Sequence, residues 1–172
     1  DTFCVKHINV CTYQAVSGSG KDGVEELLQQ SSAYIDQRSI DKKVYPKQIA
    51  FNSIPFVDCF LENNYTREEM KMVWETHKIL DENISVNPTA VRVPVLVGHA
   101  ESIYIETEKE IDIELAKNCL NEFAGISVID DIQEVDFPTS FEHGHGTDDV
   151  YVGRIRKGLS KNNSLNLWVV AD

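Results

Sequence analysis

The order of hydrophobic and polar positions predicts strands and helices in turn along the chain. Residues 3–13 form a β-branched, partly alternating run typical of a strand, and the glycine-rich residues 17–20 predict the turn that ends it. Apolar residues then recur at helical spacing over residues 22–36, with acidic side chains near the N-terminal end, where the helix dipole favours them. Residues 39–52 mix charges with Pro46 and predict a loop that passes into an extended segment.

A second helix has a clear start signal at Thr66. Thr66 and Glu69 have the spacing of a capping box, and good helix formers follow over residues 70–80. Glu75 and Lys78 share one side of this helix, and spacing alone makes them a surface ion pair worth about 0.3 kcal/mol. Helical spacing predicts that four apolar side chains face the core: Met70, Val73, Trp74 and Ile79.

The rest of the chain predicts strands around one more helix. Residues 89–97 and 101–107 are extended runs, which suggests adjacent strands joined near Gly98. An amphipathic helix over residues 112–124 stops at Gly125. Three further strands are predicted, at residues 126–129, 150–156 and 165–170.

This order of elements is typical of an α+β protein rather than of a regular βαβ alternation. We therefore expect a mixed, largely antiparallel sheet with helices packed on one face. The apolar second face of such a sheet needs a cover, and a second copy of the same chain is the simplest one. The pattern thus predicts a two-fold homodimer.

Composition narrows the class of protein. The chain has 172 residues, of which 42% are hydrophobic, enough for one domain with a single core. Four widely spread cysteines in apolar segments indicate buried thiols and a reducing compartment. No apolar run approaches the ~20 residues of a membrane span and no charged-then-apolar leader opens the chain, so we expect a cytoplasmic protein without a membrane partner. A net charge of -12 disfavours nucleic-acid binding.

Two motif-like features offer chemistry but have simpler explanations. His143 and His145 could bind a metal, but no Cys or third His lies near them in sequence, so we expect a flexible loop and no metal. Cys11 resembles a nucleophile, although its place inside an apolar strand favours an inert thiol.

The pair Arg92 and His99 carries more specific chemistry. A guanidinium binds a carboxylate through two charge-assisted hydrogen bonds, and an imidazole exchanges protons near neutral pH. Either residue alone is more often structural. Seven residues of regular strand span ~23 Å and put the two side chains on opposite faces, so they can share a substrate only if the chain bends at Pro94 or Gly98.

Several segments, in this order, resemble the aspartate-semialdehyde dehydrogenase family almost from end to end. They are Thr12-Tyr13-Gln14-Ala15-Val16-Ser17-Gly18, Glu68-Glu69-Met70-Lys71-Met72, Glu75-Thr76-His77-Lys78-Ile79-Leu80, Val91-Arg92-Val93-Pro94-Val95, Gly98-His99 and Asp149-Val150-Tyr151-Val152-Gly153-Arg154-Ile155-Arg156.

The resemblance implies the catalytic and dimerisation domain of that enzyme, with a fold like the C-terminal domain of glyceraldehyde-3-phosphate dehydrogenase. The enzyme reversibly converts aspartate semialdehyde, phosphate and NADP to aspartyl phosphate and NADPH, a step towards lysine, methionine and threonine. A cysteine attacks the aldehyde, hydride leaves to NADP, and phosphate releases the acyl group from the thioester.

The resemblance also implies roles for individual residues. His99 matches the family's acid/base, and Arg92 matches its ligand for the substrate carboxylate. Gln14 matches the residue that positions the substrate, and Ser17 and Gly18 fall in the loop that approaches the cofactor. Two helical residues complete the set: Glu75 as partner of the substrate amino group and Lys78 as a phosphate ligand.

The chain also departs from the family pattern. The family's nucleophile lies in an Asn-Cys-Thr or similar motif upstream of the Tyr-Gln-Ala segment, and Cys11 takes the place of a serine instead. Residues 1–172 therefore correspond to one domain without the N-terminal dinucleotide-binding domain, and we expect the isolated chain to be inactive. The alternative is a non-catalytic relative that keeps this domain for dimerisation.

Overall fold

The computed structural model describes residues 2–172, which form one six-stranded sheet with four helices around it. The strands are β1 (Val5–Gln14), β2 (Ser85–Arg92), β3 (His99–Thr107), β4 (Ile126–Val128), β5 (Val150–Lys157) and β6 (Ser164–Ala171). Their order across the sheet is β2-β1-β3-β6-β5-β4. β1 pairs with β2 and β4 with β5 in parallel, whereas the other three neighbouring pairs are antiparallel. The predicted mixed, largely antiparallel sheet is confirmed.

The helices are α1 (Gly20–Ile35), α2 (Arg67–Ile79), α3 (Ile113–Asn121) and the short α4 (Ser140–His143). A 3₁₀ turn, Val16–Ser19, joins β1 to α1. Of the loop expected at residues 143–146, only His143 belongs to a helix, and residues 144–146 lie outside the helices and strands. No helix of the described residues 2–172 is long and apolar enough to cross a membrane.

The two faces of the sheet differ in what packs on them. On the first, which we call the helix face, α3 forms the main core with strand residues that include Leu165 and Leu167. Residues of α2 form a groove of about 410 Å³ with Val10 and Ile103 on the same face. On the second face lie Cys11, Ser102 and Trp168, which are directly opposite one another across β1, β3 and β6.

A polar contact joins the start of helix α2 to the sheet. The capping box at Thr66 is present as predicted. The buried Glu69 carboxylate accepts hydrogen bonds from the amides of Thr66 and Ala90 and so joins the start of α2 to β2. The predicted burial of Trp74 and Ile79 is wrong, because their side chains are 51% and 75% exposed.

The connection between β2 and β3 also differs from the prediction. The two strands are not adjacent, because β1 lies between them. Residues 93–98 cross the carboxyl end of β1 and are held there by hydrogen bonds from the amides of Val93, Val16 and Ser17 to the carbonyls of Gln14, Val95 and Leu96. The chain therefore bends between Arg92 and His99, as a shared site requires.

A second, smaller core lies between α1 and the loop that follows it. It contains Val16, Leu27 and Ile49, with Leu96 of the crossing segment packed against it. The buried Glu26 carboxylate accepts hydrogen bonds from the amides of residues 43–45, which closes the loop over α1. This core fixes the 3₁₀ turn that leads out of β1.

The cysteines are less buried than their apolar surroundings suggested. Cys119 is exposed, and Cys11 and Cys59 are half-buried. On α3, Ala116 faces the core, whereas Cys119 lies outside the buried side of the helix.

Candidate active site

The carboxyl end of β1 brings three predicted site residues together. Gln14 is the register partner of Arg92 on β2, and Arg92 Nη1 donates a 2.6 Å hydrogen bond to the carbonyl of Ala15. A Cβ atom built on Gly18 would lie 3.1 Å from Arg92 Nη1 and 3.5 Å from His99 Nε2. Arg92 and His99, far apart on a straight strand, thus lie together beneath the 3₁₀ turn.

Glu68, in the first turn of α2, completes the cluster. Gln14 Nε2 donates a 3.0 Å hydrogen bond to Glu68 Oε1, and Lys71 Nζ donates a 3.0 Å hydrogen bond to Glu68 Oε2. The other side-chain atom of the amide, Gln14 Oε1, is buried without a hydrogen-bond partner among the described residues. The site therefore contains a buried hydrogen-bond acceptor, Gln14 Oε1, which could accept a hydrogen bond from a ligand.

Glu75 and Lys78 lie outside this cluster. They occupy the same side of α2 as Glu68 but follow it by seven and ten residues, which is roughly 10 and 15 Å along a helix. Glu75 lines the groove of the helix face with Met72. Glu68 and Lys71, rather than Glu75 and Lys78, lie at the end of β1 where Gln14 is.

The pKa of His99 is subject to opposing effects. Burial and the neighbouring Arg92 guanidinium lower its pKa, whereas the carboxylates of Glu68 and Asp172 oppose that change. Burial also lowers the pKa of Arg92, and Glu68 again opposes the change. Arginine stays protonated at neutral pH nonetheless, so the site keeps a fixed cation beside a largely neutral imidazole.

The Glu68 carboxylate is held in its ionised form. Burial raises its pKa, but hydrogen bonds from Gln14 and Lys71 outweigh burial, and the net pKa is lowered. An anion within reach of Arg92 and His99 suits a substrate that carries an ammonium group.

Ser17 and Gly18 border the cluster that contains Arg92 and His99. Both lie in the 3₁₀ turn, where Gly18 is exposed to solvent. Because a Cβ atom at Gly18 would crowd Arg92 Nη1 and contact the His99 ring, a glycine leaves the backbone accessible beside the imidazole.

Cys11 is outside the site. It precedes Gln14 by three residues on β1, so its side chain lies on the opposite face of the sheet. There it interacts with Tyr13, whose pKa is raised by burial and by Cys11. The Cys11 thiol is therefore not directed at the candidate site.

Comparisons with known proteins define the class to which this fold and site belong. A family model described as "Semialdehyde dehydrogenase, dimerisation domain" matches residues 1–172. The chain belongs to this family.

The relatives within that family are more specific. The aspartate-semialdehyde dehydrogenase of Shewanella violacea is 53% identical over 173 residues, covering 100% of this chain and 51% of the relative. The aspartate-semialdehyde dehydrogenase of Legionella pneumophila is 48% identical, and the match covers 100% of this chain and 50% of the relative. The chain thus spans about half the length of the curated relatives it matches.

A solved structure supports the same relationship. The crystal structure of aspartate semialdehyde dehydrogenase II complexed with ASA, from Vibrio cholerae, has a TM-score of 0.95 and 47% identity to this chain. The match covers 100% of this chain and 51% of the Vibrio cholerae chain. A Candida albicans aspartate semialdehyde dehydrogenase with NADP, at 22% identity and a TM-score of 0.67, shares the fold.

Proposed function

We propose that the chain is the catalytic and dimerisation half of an aspartate-semialdehyde dehydrogenase. The whole enzyme would reversibly convert aspartate 4-semialdehyde, phosphate and NADP to 4-aspartyl phosphate and NADPH. The observation that carries this proposal is the cluster of Gln14, Glu68, Arg92 and His99, which joins groups suited to a carboxylate, an ammonium group and a proton.

Arg92 would bind the substrate carboxylate and Glu68 its ammonium group. Arg92 uses only Nη1 for the Ala15 carbonyl, which leaves other guanidinium donors for a ligand. Glu68 takes the role first assigned to Glu75, because it is the carboxylate that Gln14 contacts. Gln14 would accept a hydrogen bond at Oε1 and fix the orientation of the substrate.

Lys71 would bind phosphate, in place of Lys78. It lies one turn from Glu68 on the same side of α2, and its side chain is 48% exposed. An exposed ammonium group at the rim can exchange its carboxylate partner for an incoming phosphate. The ion pair with Glu68 would keep it in place when phosphate is absent.

His99 would act as the general acid and base. Its lowered pKa makes the neutral imidazole the main form at neutral pH, so it can accept a proton as a nucleophilic thiol attacks the aldehyde carbon. The same nitrogen can return the proton when that bond breaks.

NADP would be bound mainly by the half of the protein that the relatives possess and these residues do not include. When bound, it supplies the acceptor for hydride. The exposed Gly18 beside His99, with the adjacent Ser17, fits the approach of a flat ring, because Gly18 presents no side chain. Ser17 and Gly18 would therefore lie between the candidate site and the bound cofactor.

The nucleophilic thiol must also come from outside residues 1–172. Cys11 is on the wrong face of the sheet, and a dehydrogenase of this type needs both a thiolate and a hydride acceptor. We therefore expect no activity from the 172-residue chain alone.

The second face of the sheet would form a homodimer, as the family's description indicates. The rings of Tyr13 and Trp168 pack there with centroids 5.5 Å apart. The centre of this face carries the uncharged residues Cys11 and Ser102, so its burial costs little electrostatic free energy. A stable dimer would bury on the order of 1,600 Å² or more.

A domain chimera tests the activity. The chain would be fused to the N-terminal half of the Shewanella violacea relative and assayed for phosphate-dependent NADPH formation from aspartate semialdehyde. We expect activity from the chimera, none from the chain alone, and about a 100-fold lower kcat/KM in Arg92→Lys, which loses bidentate binding.

Two outcomes would contradict the proposal. A folded, dimeric chimera without activity would favour a non-catalytic dimerisation relative. Activity of the 172-residue chain alone that Cys11→Ser abolishes would show that Cys11 is the nucleophile after all.

A further inference from the structure

The two oxygens of the Glu68 carboxylate have different partners. Oε1 accepts a 3.0 Å hydrogen bond from Gln14 Nε2, and Oε2 accepts a 3.0 Å hydrogen bond from Lys71 Nζ. Gln14 is buried, whereas the Lys71 side chain is 48% exposed. The packing around Gln14 therefore fixes one donor, while the other donor is free to leave the carboxylate.

Lys71 interacts mainly with Glu68. The hydrogen bond to Glu68 and the charge of its carboxylate raise the pKa of Lys71, and Asp58 and Glu75 contribute less to this change. Among residues 2–172, Glu68 supplies the one carboxylate within ion-pair distance of Lys71 Nζ. Lys71 therefore has to break one defined ion pair before its ammonium group binds phosphate.

The proposed function gives the Glu68 carboxylate a second cationic partner, the ammonium group of the substrate. A carboxylate has enough lone pairs to accept hydrogen bonds from both cations, but two ammonium groups on one carboxylate repel each other. Gln14 is neutral, so its hydrogen bond to Oε1 is compatible with either cation. The repulsion therefore acts on Lys71, whose exposed side chain is able to move away.

We propose that the ion pair between Glu68 and Lys71 couples the binding of the substrate ammonium group to the binding of phosphate. An ammonium group on Glu68 releases Lys71, so a larger fraction of the protein is competent to bind phosphate. Phosphate on Lys71 in turn leaves Glu68 free for the ammonium group, because coupling between two binding sites is reciprocal. The proposal rests on the proposed roles of Glu68 and Lys71, and it adds that the two ligands bind with positive cooperativity.

The test measures phosphate affinity by NMR titration of the 172-residue chain with inorganic phosphate. The titration is repeated with saturating 2-aminobutanoate and with saturating butanoate. Both compounds carry the substrate carboxylate, lack the aldehyde, and differ from each other in the amino group alone. We expect phosphate to bind about three- to fivefold more tightly with 2-aminobutanoate, the effect that a half-exposed ion pair supports.

Two variants separate coupling through Glu68 from direct attraction between the ammonium group and phosphate. Glu68→Gln should abolish the difference between the two compounds, each at a concentration shown to saturate the variant, because no ion pair then holds Lys71. Glu75→Gln is the matched control and should keep the difference, since it removes a charge near Lys71 but leaves the Glu68 ion pair in place.

Three results would overturn the coupling. They are no phosphate binding to the unchanged chain, equal phosphate affinity with both compounds, and a difference that persists in Glu68→Gln. In the active chimera, the KM for phosphate should fall as aspartate semialdehyde is raised, and this dependence should disappear in Glu68→Gln. A chimera without activity would count against the dehydrogenase function, whereas the NMR titrations of the 172-residue chain would still decide the coupling.

Discussion

Glu68 and Gln14, 54 positions apart in sequence, meet where α2 begins and β1 ends, through a 3.0 Å hydrogen bond from the Gln14 amide to the Glu68 carboxylate. This contact ties the first turn of α2, rather than its middle, to the candidate active site. Of the acidic and basic residues on that side of α2, Glu68 and Lys71 are therefore the two that lie at the candidate site.

Glu68→Gln in the active chimera should therefore raise the KM for aspartate semialdehyde about 10- to 100-fold. The variant loses a charged hydrogen-bonding partner for the substrate, a loss typically worth about 1.5–3 kcal/mol. Glu75→Gln is the control on the same side of α2 and should change KM less than twofold. Steady-state kinetics compares the two, and the reverse order would return the role to Glu75.

Glu69→Gln should lower the free energy of unfolding of the 172-residue chain by about 1–3 kcal/mol, because it leaves one of two buried amides without an acceptor. Glu62→Gln, at an exposed position shortly before the helix, should have almost no effect. Urea unfolding followed by circular dichroism measures both. Equal stability of the two variants would show that Glu69 does not hold α2 to β2.

Glu101→Gln should stabilise the chain at neutral pH. Burial raises the pKa of Glu101 above its unfolded value, so the folded state holds the proton more tightly and loses stability as pH rises from about 4.3 through the raised pKa. The gain in the variant should be present at pH 8 and vanish at pH 4. Urea titrations at the two pH values test this, with the exposed Glu82→Gln as control.

Ser102→Lys should convert the proposed dimer to a monomer. Ser102 lies between Cys11 and Trp168 at the centre of the second face, where a lysine from each subunit would be buried without a partner. Ser160→Lys, in an exposed loop, should stay dimeric. Analytical ultracentrifugation at tens of micromolar distinguishes the two, and an unchanged chain that sediments as a monomer would refute the dimer.

Features governed by local chemistry were predictable from the sequence. The capping box at Thr66 needs only side chains three residues apart, and it is present as predicted. The strands and the α+β class follow from the alternation of apolar residues, which reports which side of an element is buried. Residue chemistry singled out Arg92 and His99, the family resemblance added Gln14, and the structure brings these three together.

Relations between distant elements were decided only by the tertiary structure. Insertion of β1 between β2 and β3 turns residues 93–98 into a crossing over the end of β1, which brings Arg92 and His99 together. No local pattern records this, because register and strand order depend on contacts across the sheet. For the same reason, the family resemblance placed the substrate-binding carboxylate at Glu75, whereas the structure puts Glu68 beside Gln14.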